Sequence, residues 1–328
     1  MSPSPEAVAH QEARQRLATA TALATHSIWR RLDQDNLYQS WLGLAGDVLA
    51  VVAGGQMAAA QMTGPWLNEL LGPENDDRPG AGGVIPEAFA GADGAGRPLA
   101  GALMAPIWAA LRLVTAGRPI VQALVAGRSL LDAIAQTAVA DVGRAADSVA
   151  MTARPAVTGY IRVVEAGACS RCLILAGNEY QTDKAFLRHP RCNCGMEPVT
   201  RTHRPRPASP DDLVAQMSEE QKRKTFGTDA AKAINEGADL GQLVNARRGM
   251  SGASVLGGRP VTTTEGTVRG EFRRQEFRAL QQAGAIPRSQ SMRGFRPTRP
   301  RLMPEEIYRQ AGDRQHAVRL LREHGYIA

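Results

Sequence analysis

The sequence predicts a mainly α protein with a small central α+β Cys/His module that resembles a zinc knuckle. Three observations lead to this fold class. Long stretches place apolar residues at helical spacing, all four cysteines fall between Cys169 and Cys194, and the runs around them are short and strand-like. Aromatic residues make up only 5% of the chain, and much of its 43% hydrophobic content is alanine. This composition favours thin helical packing over a large dense core.

Residues 1–71 are predicted to form an N-terminal helical region. Residues 6–32 contain no glycine or proline, and their apolar residues recur on one face. The polar joint Asp33–Asn36 supplies capping residues for a second helix, which we expect to run from residue 37 toward residue 71.

Residues 72–98 change composition abruptly to Gly, Pro and Asp, and they are interpreted as a loop or mobile linker. Helical patterning returns over residues 99–154. We expect one helix over residues 99–113 and a long amphipathic helix that begins at Pro119 and stops at Pro155.

Residues 155–200 form the predicted Cys/His module. We expect strands at residues 157–164 and 196–199, a hairpin or strand-turn over residues 173–180, and one helical turn over residues 183–187. A fragment of this size buries too little apolar surface to be stable alone. It therefore needs a metal or neighbouring helices.

Residues 201–328 form a basic, helical C-terminal region. They carry 23 Lys and Arg against 14 Asp and Glu, a balance of +9, whereas residues 1–200 have a balance of −2. This asymmetry points to a nucleic acid or an acidic partner surface. Single short helices are predicted over residues 211–217, 218–224 and 271–283. Residues 228–249 and residues 304–327 are each predicted to form two short helices, and a hairpin is possible within residues 252–270.

Cysteine spacing gives the most specific signal of the chain. The sequence has a C-S-R-C turn, nineteen intervening residues and then C-N-C, with a histidine just before the second pair. Thiolates and imidazoles from two turns are the ligands that structural Zn²⁺ takes. Cys192 and Cys194 can share one ion only if the backbone turns near Asn193, because alternate residues of a straight strand face opposite sides. The candidate ligands are Cys169, Cys172, His189, Cys192 and Cys194.

Two other interpretations of the cysteines stay open, a disulfide pair and a C-x-x-C redox pair. The first implies an oxidising compartment, but the sequence start has no apolar signal region. No stretch offers about twenty clean apolar residues, so we expect no membrane contact.

The stretch of residues 286–301, here called the arginine segment, holds five arginines and no acidic residue. It is either a solvated connector or a phosphate-binding arm, since arginines neutralise phosphates without reading sequence. The candidate nucleic-acid contacts are Arg288, Arg293, Arg296, Arg299 and Arg301.

Several stretches are similar to one protein family. The most specific is GYIRVVEAGACSRCLILAG, followed by RHPRCNC. It resembles the Cys/His module of Mu F-like phage head morphogenesis proteins, above all the version in actinobacterial tailed phages. Weaker similarity covers IWRRLDQDNLYQSW, FGTDAAKAINEGADLGQLVNARRGM and PEEIYRQAGDRQHAVRLLREHGYI.

The resemblance implies a minor capsid protein that acts in head assembly and DNA packaging near the portal. Its implied partners are the portal protein and the major capsid protein, with possible non-specific contact with packaged DNA. The implied location is the capsid interior of the virion, assembled in the host cytoplasm.

The enzymatic status of the chain is open, and the residues favour a protein that is not an enzyme. Members of the resembling family are often labelled capsid maturation proteases, but none of the six histidines neighbours a G-x-S-x-G elbow. A further alternative is an HNH-like zinc-knuckle nuclease, which would need a second metal-binding histidine, and His203 is the candidate. The metal site itself is predicted to be structural, because four protein ligands leave no position for water.

Overall fold

The computed structural model describes residues 3–72, 83–164, 168–186, 188–192, 194–207, 209–251, 261–265, 271–297 and 300–327. The chain divides into two compact units. The first contains residues 1–165 and 176–208, and the second contains residues 166–175 and 209–328. Helices predominate in the described residues, and each unit also has a small three-stranded sheet. The mainly α fold class with a small sheet region and a Cys/His cluster is confirmed.

Six helices make up most of the first unit. They are α1 (Pro5–Trp29), α2 (Leu37–Gln61), α3 (Thr63–Leu71), α4 (Leu99–Ala102), α5 (Ala105–Thr115) and α6 (Ile120–Thr152). Ser4 begins α1 by accepting a hydrogen bond from the Ala7 amide at 3.2 Å, which satisfies one of the unpaired amides of the first turn.

Two helices predicted as continuous are interrupted. The stretch from residue 37 to residue 71 breaks at Met62, and the stretch predicted over residues 99–113 breaks after Ala102. A proline, Pro65 or Pro106, lies in the first turn of the helix that follows each break. Proline has no amide hydrogen, so it is tolerated in a first turn and disrupts a helix interior.

The described part of the Gly/Pro-rich stretch contains local structure and contacts with α2. Residues 73–82 lie outside the described residues, but Pro86–Phe89 forms a 3₁₀ turn and Ala92 bridges to Pro98. The side chain of Gln56 on α2 donates to the Ala92 carbonyl at 2.7 Å and accepts from the Gly91 amide at 2.8 Å. The backbone at Gly91 and Ala92 is therefore held by α2, and the expectation of a loop or mobile linker over residues 72–98 stays a prediction.

Helix α6 packs against α1, α2, α3 and α5. Trp29 and Trp41 meet edge to face in the main core, with ring centroids 5.2 Å apart. Gly127 of α6 lies against this pair, since a Cβ there would come within 2.8 Å of the Trp29 ring and the Pro106 carbonyl. Glycine at this position allows the close approach of the helices.

A buried polar network joins three helices of the same unit. Asp147 of α6 is 1% exposed and accepts hydrogen bonds from both terminal nitrogens of Arg14 and, at 3.0 Å, from the Thr63 hydroxyl. His10 stacks on Trp66 with centroids 4.1 Å apart and approaches Asp147 at 3.4 Å. Burial alone would raise the pKa of Asp147, but the Arg14 charge and the neighbouring His10 outweigh it and hold this pKa below its usual value.

The sheet of the first unit lies beside α6 and α1. Strand β1 (Gly159–Val163) pairs antiparallel with β2 (Glu179–Tyr180) on one side and β3 (Gly195–Val199) on the other, with Tyr160 opposite Tyr180. Tyr160, Tyr180 and Phe186 form an aromatic cluster. Burial raises the pKa of Tyr160 to about 12.

Two local predictions for the module were wrong. Ser170–Leu173 forms a short helix, α7, and a turn follows it, so the hairpin predicted over residues 173–180 keeps only the two residues of β2. The helical turn predicted at residues 183–187 is absent from its described residues 183–186.

The second unit contains short helices and a sheet of two-residue strands. Its helices after α7 are α8 (Pro210–Ala215), α9 (Glu219–Phe226), α10 (Thr228–Asn235), α11 (Leu240–Ala246), α12 (Glu271–Gln282), α13 (Pro304–Gln310) and α14 (Arg314–Glu323). Its strands are β4 (Met250–Ser251), β5 (Thr262–Thr263) and β6 (Arg301–Leu302), in the order β4-β5-β6. Most of the hairpin expected within 252–270 lies outside the described residues.

Two helical stretches, Leu37–Leu71 and Ile120–Thr152, are long and apolar enough to cross a membrane by length and composition alone. The core helices of a water-soluble bundle meet the same criterion. Both stretches supply core residues of the first unit, and the expectation of no membrane contact stays a prediction.

We predict that Asp147→Asn lowers the free energy of unfolding by about 3–5 kcal/mol, because it leaves the Arg14 guanidinium buried without its anion. The pKa of Asp147 is lower folded than unfolded. The contribution of Asp147 to the free energy of unfolding is therefore fully present above its pKa in the unfolded chain. It is lost as the pH falls through its pKa in the folded protein. Denaturant titrations from neutral to acidic pH should show a smaller loss of stability in the variant. The control Asp47→Asn, whose ion pair with Arg31 is exposed, should change stability by less than about 1 kcal/mol.

Candidate metal centre

The first cysteine turn is the start of helix α7. Cys169 precedes the helix in an extended conformation, and its carbonyl accepts from the Cys172 amide at 2.9 Å. This turn brings the Sγ atoms of Cys169 and Cys172 to 3.5 Å from each other. Cys169 is exposed and Cys172 is buried. The C-x-x-C turn thus presents two sulfurs on one side, as one ion requires.

The second turn is tight and contains an unusual backbone conformation. The Cys192 amide donates to the His189 carbonyl at 3.0 Å, which places Pro190 and Arg191 at the two central positions. Arg191 has φ of 60°, a left-handed value that a central position of this kind of turn requires and glycine usually supplies. The bend expected at Asn193, between the two cysteines, lies outside the described residues and stays a prediction.

Contacts with α6 hold Arg191 in this conformation. The Thr137 hydroxyl accepts from the Arg191 amide at 3.0 Å, and the Arg191 guanidinium donates to the Ser129 carbonyl at 3.0 Å. A left-handed arginine costs about 1–2 kcal/mol, so these two hydrogen bonds offset local strain.

A second set of α6 side chains fixes the cysteine backbone. Arg144 donates to the carbonyls of Cys192 and Cys194 at 2.9 and 3.2 Å. Asp141 accepts from Arg144 and from Arg188, each at 2.6 Å. Because Arg144 is buried between these acceptors, the position of the second turn is set by the helix and not only by its own sequence.

The side chains of all five predicted ligands come together in two overlapping groups of metal donors. The donor atoms of Cys169, Cys172 and His189 lie within 4.8 Å of one another, and so do those of Cys172, Cys192 and Cys194. Cys172 belongs to both groups. No disulfide joins the four cysteines, all of which the structure describes, so the disulfide interpretation has no support in this arrangement. The groups can hold a metal ion.

Arg162 of β1 contributes a buried positive charge next to the sulfurs. It is 1% exposed, and its guanidinium lies 3.4 Å from Sγ of Cys194 and 3.8 Å from Sγ of Cys192. It also stacks over the Phe186 ring at 4.3 Å. A buried guanidinium favours negative charge nearby, and the thiolate is the form in which cysteine binds metal. The donor set and its surroundings therefore fit a cation held by thiolates.

His189 is oriented by its own turn. Its Nδ1 lies 2.7 Å from the Pro190 carbonyl. A carbonyl oxygen only accepts, so Nδ1 carries the proton and the ring lone pair is on Nε2. Metal-binding histidines are commonly oriented in this way.

The other histidines make structural contacts. His203, the second histidine that a nuclease would require, bonds to buried Glu197 at 3.1 Å, and Glu197 also accepts from the Ser4 amide. His26 pairs with Asp132 at 2.6 Å. His316 and His324 contact backbone amides, of Gly312 and Leu302 respectively. Together with the buried His10, these contacts give the five histidines roles in packing and capping.

The arginine segment does not behave as one unit. Arg288, Arg293 and Arg296 are exposed, and Arg299 lies outside the described residues. Arg301, in contrast, is 1% exposed and donates to the carbonyls of His324 and Glu265 at 2.7 and 3.1 Å. Its inclusion among phosphate contacts is therefore wrong, because its guanidinium is enclosed and stacks over the ring of Tyr326 at 4.0 Å.

Sequence reasoning missed Arg162, Arg144 and Asp141. A signal for Arg162 existed, since a single charge inside the apolar run VTGYIRVV marks a position where a buried cation needs a partner. Arg144 and Asp141 gave no comparable signal, because charges at helical spacing are common on solvated faces.

The fold and the site together define a mainly helical protein with a Cys/His module that can bind metal. A family model described as VG15 protein matches residues 1–220, which include the first helices and all five candidate ligands. The chain belongs to the VG15 protein family, and this membership indicates a phage-associated protein. Comparisons with curated proteins and with solved structures find no match.

We predict that Arg191→Gly leaves the protein about 1 kcal/mol more stable than Arg191→Ala. Both variants lose the hydrogen bond to the Ser129 carbonyl. Alanine still has a Cβ atom, which makes the left-handed conformation unfavourable, whereas glycine does not. Thermal unfolding of the two variants measures the difference. Equal stability would contradict the left-handed conformation of this turn.

We further predict that Arg162→Met reduces metal retention during dialysis, because it removes the buried charge beside Cys192 and Cys194. The control Arg171→Met removes the same charge from an exposed position in the first turn and should retain metal like the parent. Metal analysis after dialysis at neutral pH checks both variants. Unchanged retention in Arg162→Met would show that the guanidinium does not support the site.

Proposed function

We propose that the chain is a phage minor head protein of the Mu F-like type, acting in capsid assembly and DNA packaging near the portal. The observation that carries this proposal is the cysteine module itself. Its two turns have the residues of the Mu F-like pattern, and their sulfurs converge as a metal knuckle requires. Membership in a phage-associated family over residues 1–220 is consistent with that assignment.

The ion of this module is Zn²⁺ in a structural role. Thiolate and imidazole donors are the set that zinc prefers, and four of them complete its tetrahedron. Five candidate donors are present, so protein atoms suffice to fill the coordination shell. Three of the sulfurs are buried, which suits an ion that stabilises the fold.

Variants of single ligands test the zinc assignment and identify its four ligands. Cys172→Ser should abolish zinc binding, because Cys172 is common to both donor groups. If Cys172, Cys192 and Cys194 supply three ligands, the fourth is either His189 or Cys169, and His189→Gln and Cys169→Ser should differ in zinc content. The variant that retains one zinc per chain identifies the residue that does not bind the ion. The control Ser170→Ala, within the same turn, should bind zinc normally. Protein purified with intact thiols and no zinc would overturn the assignment.

The zinc should also contribute to folding. We predict that a chelator lowers the unfolding temperature of the parent protein, since binding to the native state alone adds stability by mass action. Cys172→Ser should show a low unfolding temperature that the chelator no longer changes. An identical response of parent and variant would contradict a structural ion.

The assembly role is tested in particles. In cells that make the chain together with the portal and major capsid proteins of the same phage, we expect it to sediment with proheads in a few copies per particle. Its recovery should depend on the portal protein. A chain that stays in the soluble fraction while proheads form would overturn the proposal.

The same material separates this role from proteolysis and from nuclease activity. We expect the major capsid protein to remain intact when it is incubated with the purified chain, and duplex DNA with Mg²⁺ or Zn²⁺ to remain uncut. A defined cleavage that is lost on substitution of one serine or histidine would establish an enzyme in place of the proposed assembly protein.

A further inference from the structure

A strongly basic surface of the second unit has no part in the metal centre. Residues 271–297 contain six arginines, no lysine and two glutamates. One of those glutamates, Glu276, is 8% exposed, so its charge is largely withdrawn from the surface. Arg278, Arg288, Arg293 and Arg296 are exposed.

Packing holds these arginines in a defined arrangement. The rings of Phe277 on α12 and Phe295 meet edge to face at 5.1 Å. The Gln281 side chain donates to the Pro287 and Arg288 carbonyls at 3.3 and 3.4 Å. Residues 286–297 therefore lie along one face of α12, and this part of the arginine segment is not a free connector.

Exposed arginines occur on both elements that meet in this contact. Arg273, Phe277 and Gln281 are spaced by four residues, so they share the helix face that meets the segment. Arg278 is next to Phe277 on the helix. Arg293 and Arg296 directly follow two residues that contact this face, Met292 and Phe295. Arg278, Arg293 and Arg296 are thus exposed and each adjacent in sequence to a residue of this contact.

We infer that the exposed arginines of α12 and residues 286–297 form a binding surface for the phosphate backbone of duplex DNA. Each guanidinium can contact phosphate oxygens in a bidentate manner and displace condensed counterions. The duplex presents one negative charge per about 1.7 Å of its axis, so several preplaced cations are engaged together.

The aromatic residues favour a duplex over the other polyanions. Single-strand binding depends on exposed rings that stack on bases, but Phe277 and Phe295 pack on each other. An anionic membrane would require an apolar helix face to insert, but the two phenylalanines of α12 pack within the protein, Phe277 on Phe295 and Phe272 on His324. Contacts to phosphates alone predict binding without sequence preference.

Fluorescence anisotropy of the full chain with a labelled duplex of random sequence tests the inference. We expect log Kd to depend linearly on log salt concentration. The double variants Arg278→Gln/Arg288→Gln and Arg293→Gln/Arg296→Gln should each weaken binding about tenfold or more at 0.1 M salt and lower the slope by about 2. Circular dichroism and thermal unfolding confirm that each variant is folded.

A matched control removes the same charge elsewhere. Arg112→Gln/Arg118→Gln changes two exposed arginines of the first unit and should bind DNA like the parent. If this control weakened DNA binding as much as the two test variants do, the loss of affinity would follow from net charge alone and the inference would be overturned. Tighter binding to single strands, or binding to vesicles of anionic lipid without binding to the duplex, would also overturn it. The outcome is independent of the proposed head role, since recovery in proheads and duplex affinity are measured separately.

Discussion

The hydrogen bonds from Arg144 to the carbonyls of Cys192 and Cys194 are the constraint on which the first unit depends. They connect the longest helix directly to the backbone that carries two metal donors. The same helix supplies Asp147 to the buried polar network, Thr137 to the strained turn and Gly127 to the tryptophan pair. Helix α6 therefore positions both the bundle core and the cysteine turn, and a shift of this helix would disturb the two together.

The module shows how a small sheet is stabilised without a large core. Its aromatic cluster of Tyr160, Tyr180 and Phe186 is only three rings, too few to stabilise residues 155–200 alone. The buried guanidinium of Arg162 bridges this cluster and the sulfurs. A buried cation is costly unless negative charge balances it, and thiolates in this donor set would supply that balance for the arginine.

Much of the fold could be predicted from periodicity. Helix α6 follows from its amphipathic pattern, and α9 overlaps the short helix predicted over residues 218–224. The convergence of the five candidate ligands also followed from their spacing. The breaks at Met62 and after Ala102 were missed because an apolar stripe continues across them. Arg301 was misread because a segment rich in arginine looks uniformly solvated, whereas burial depends on the distant residues His324 and Tyr326.

The bond between Ser4 and Glu197 has a consequence for the order in which the chain folds. These residues are 193 positions apart, and Arg14 and Asp147 are 133 apart. Contacts between residues so far apart in sequence form slowly, because the entropy of closing the intervening loop is lost before the contacts form. During synthesis, α1 can contact β3 only after almost two hundred residues of the chain have been made. Early helices of this chain are therefore exposed to other proteins for longer than those of a protein built from local contacts.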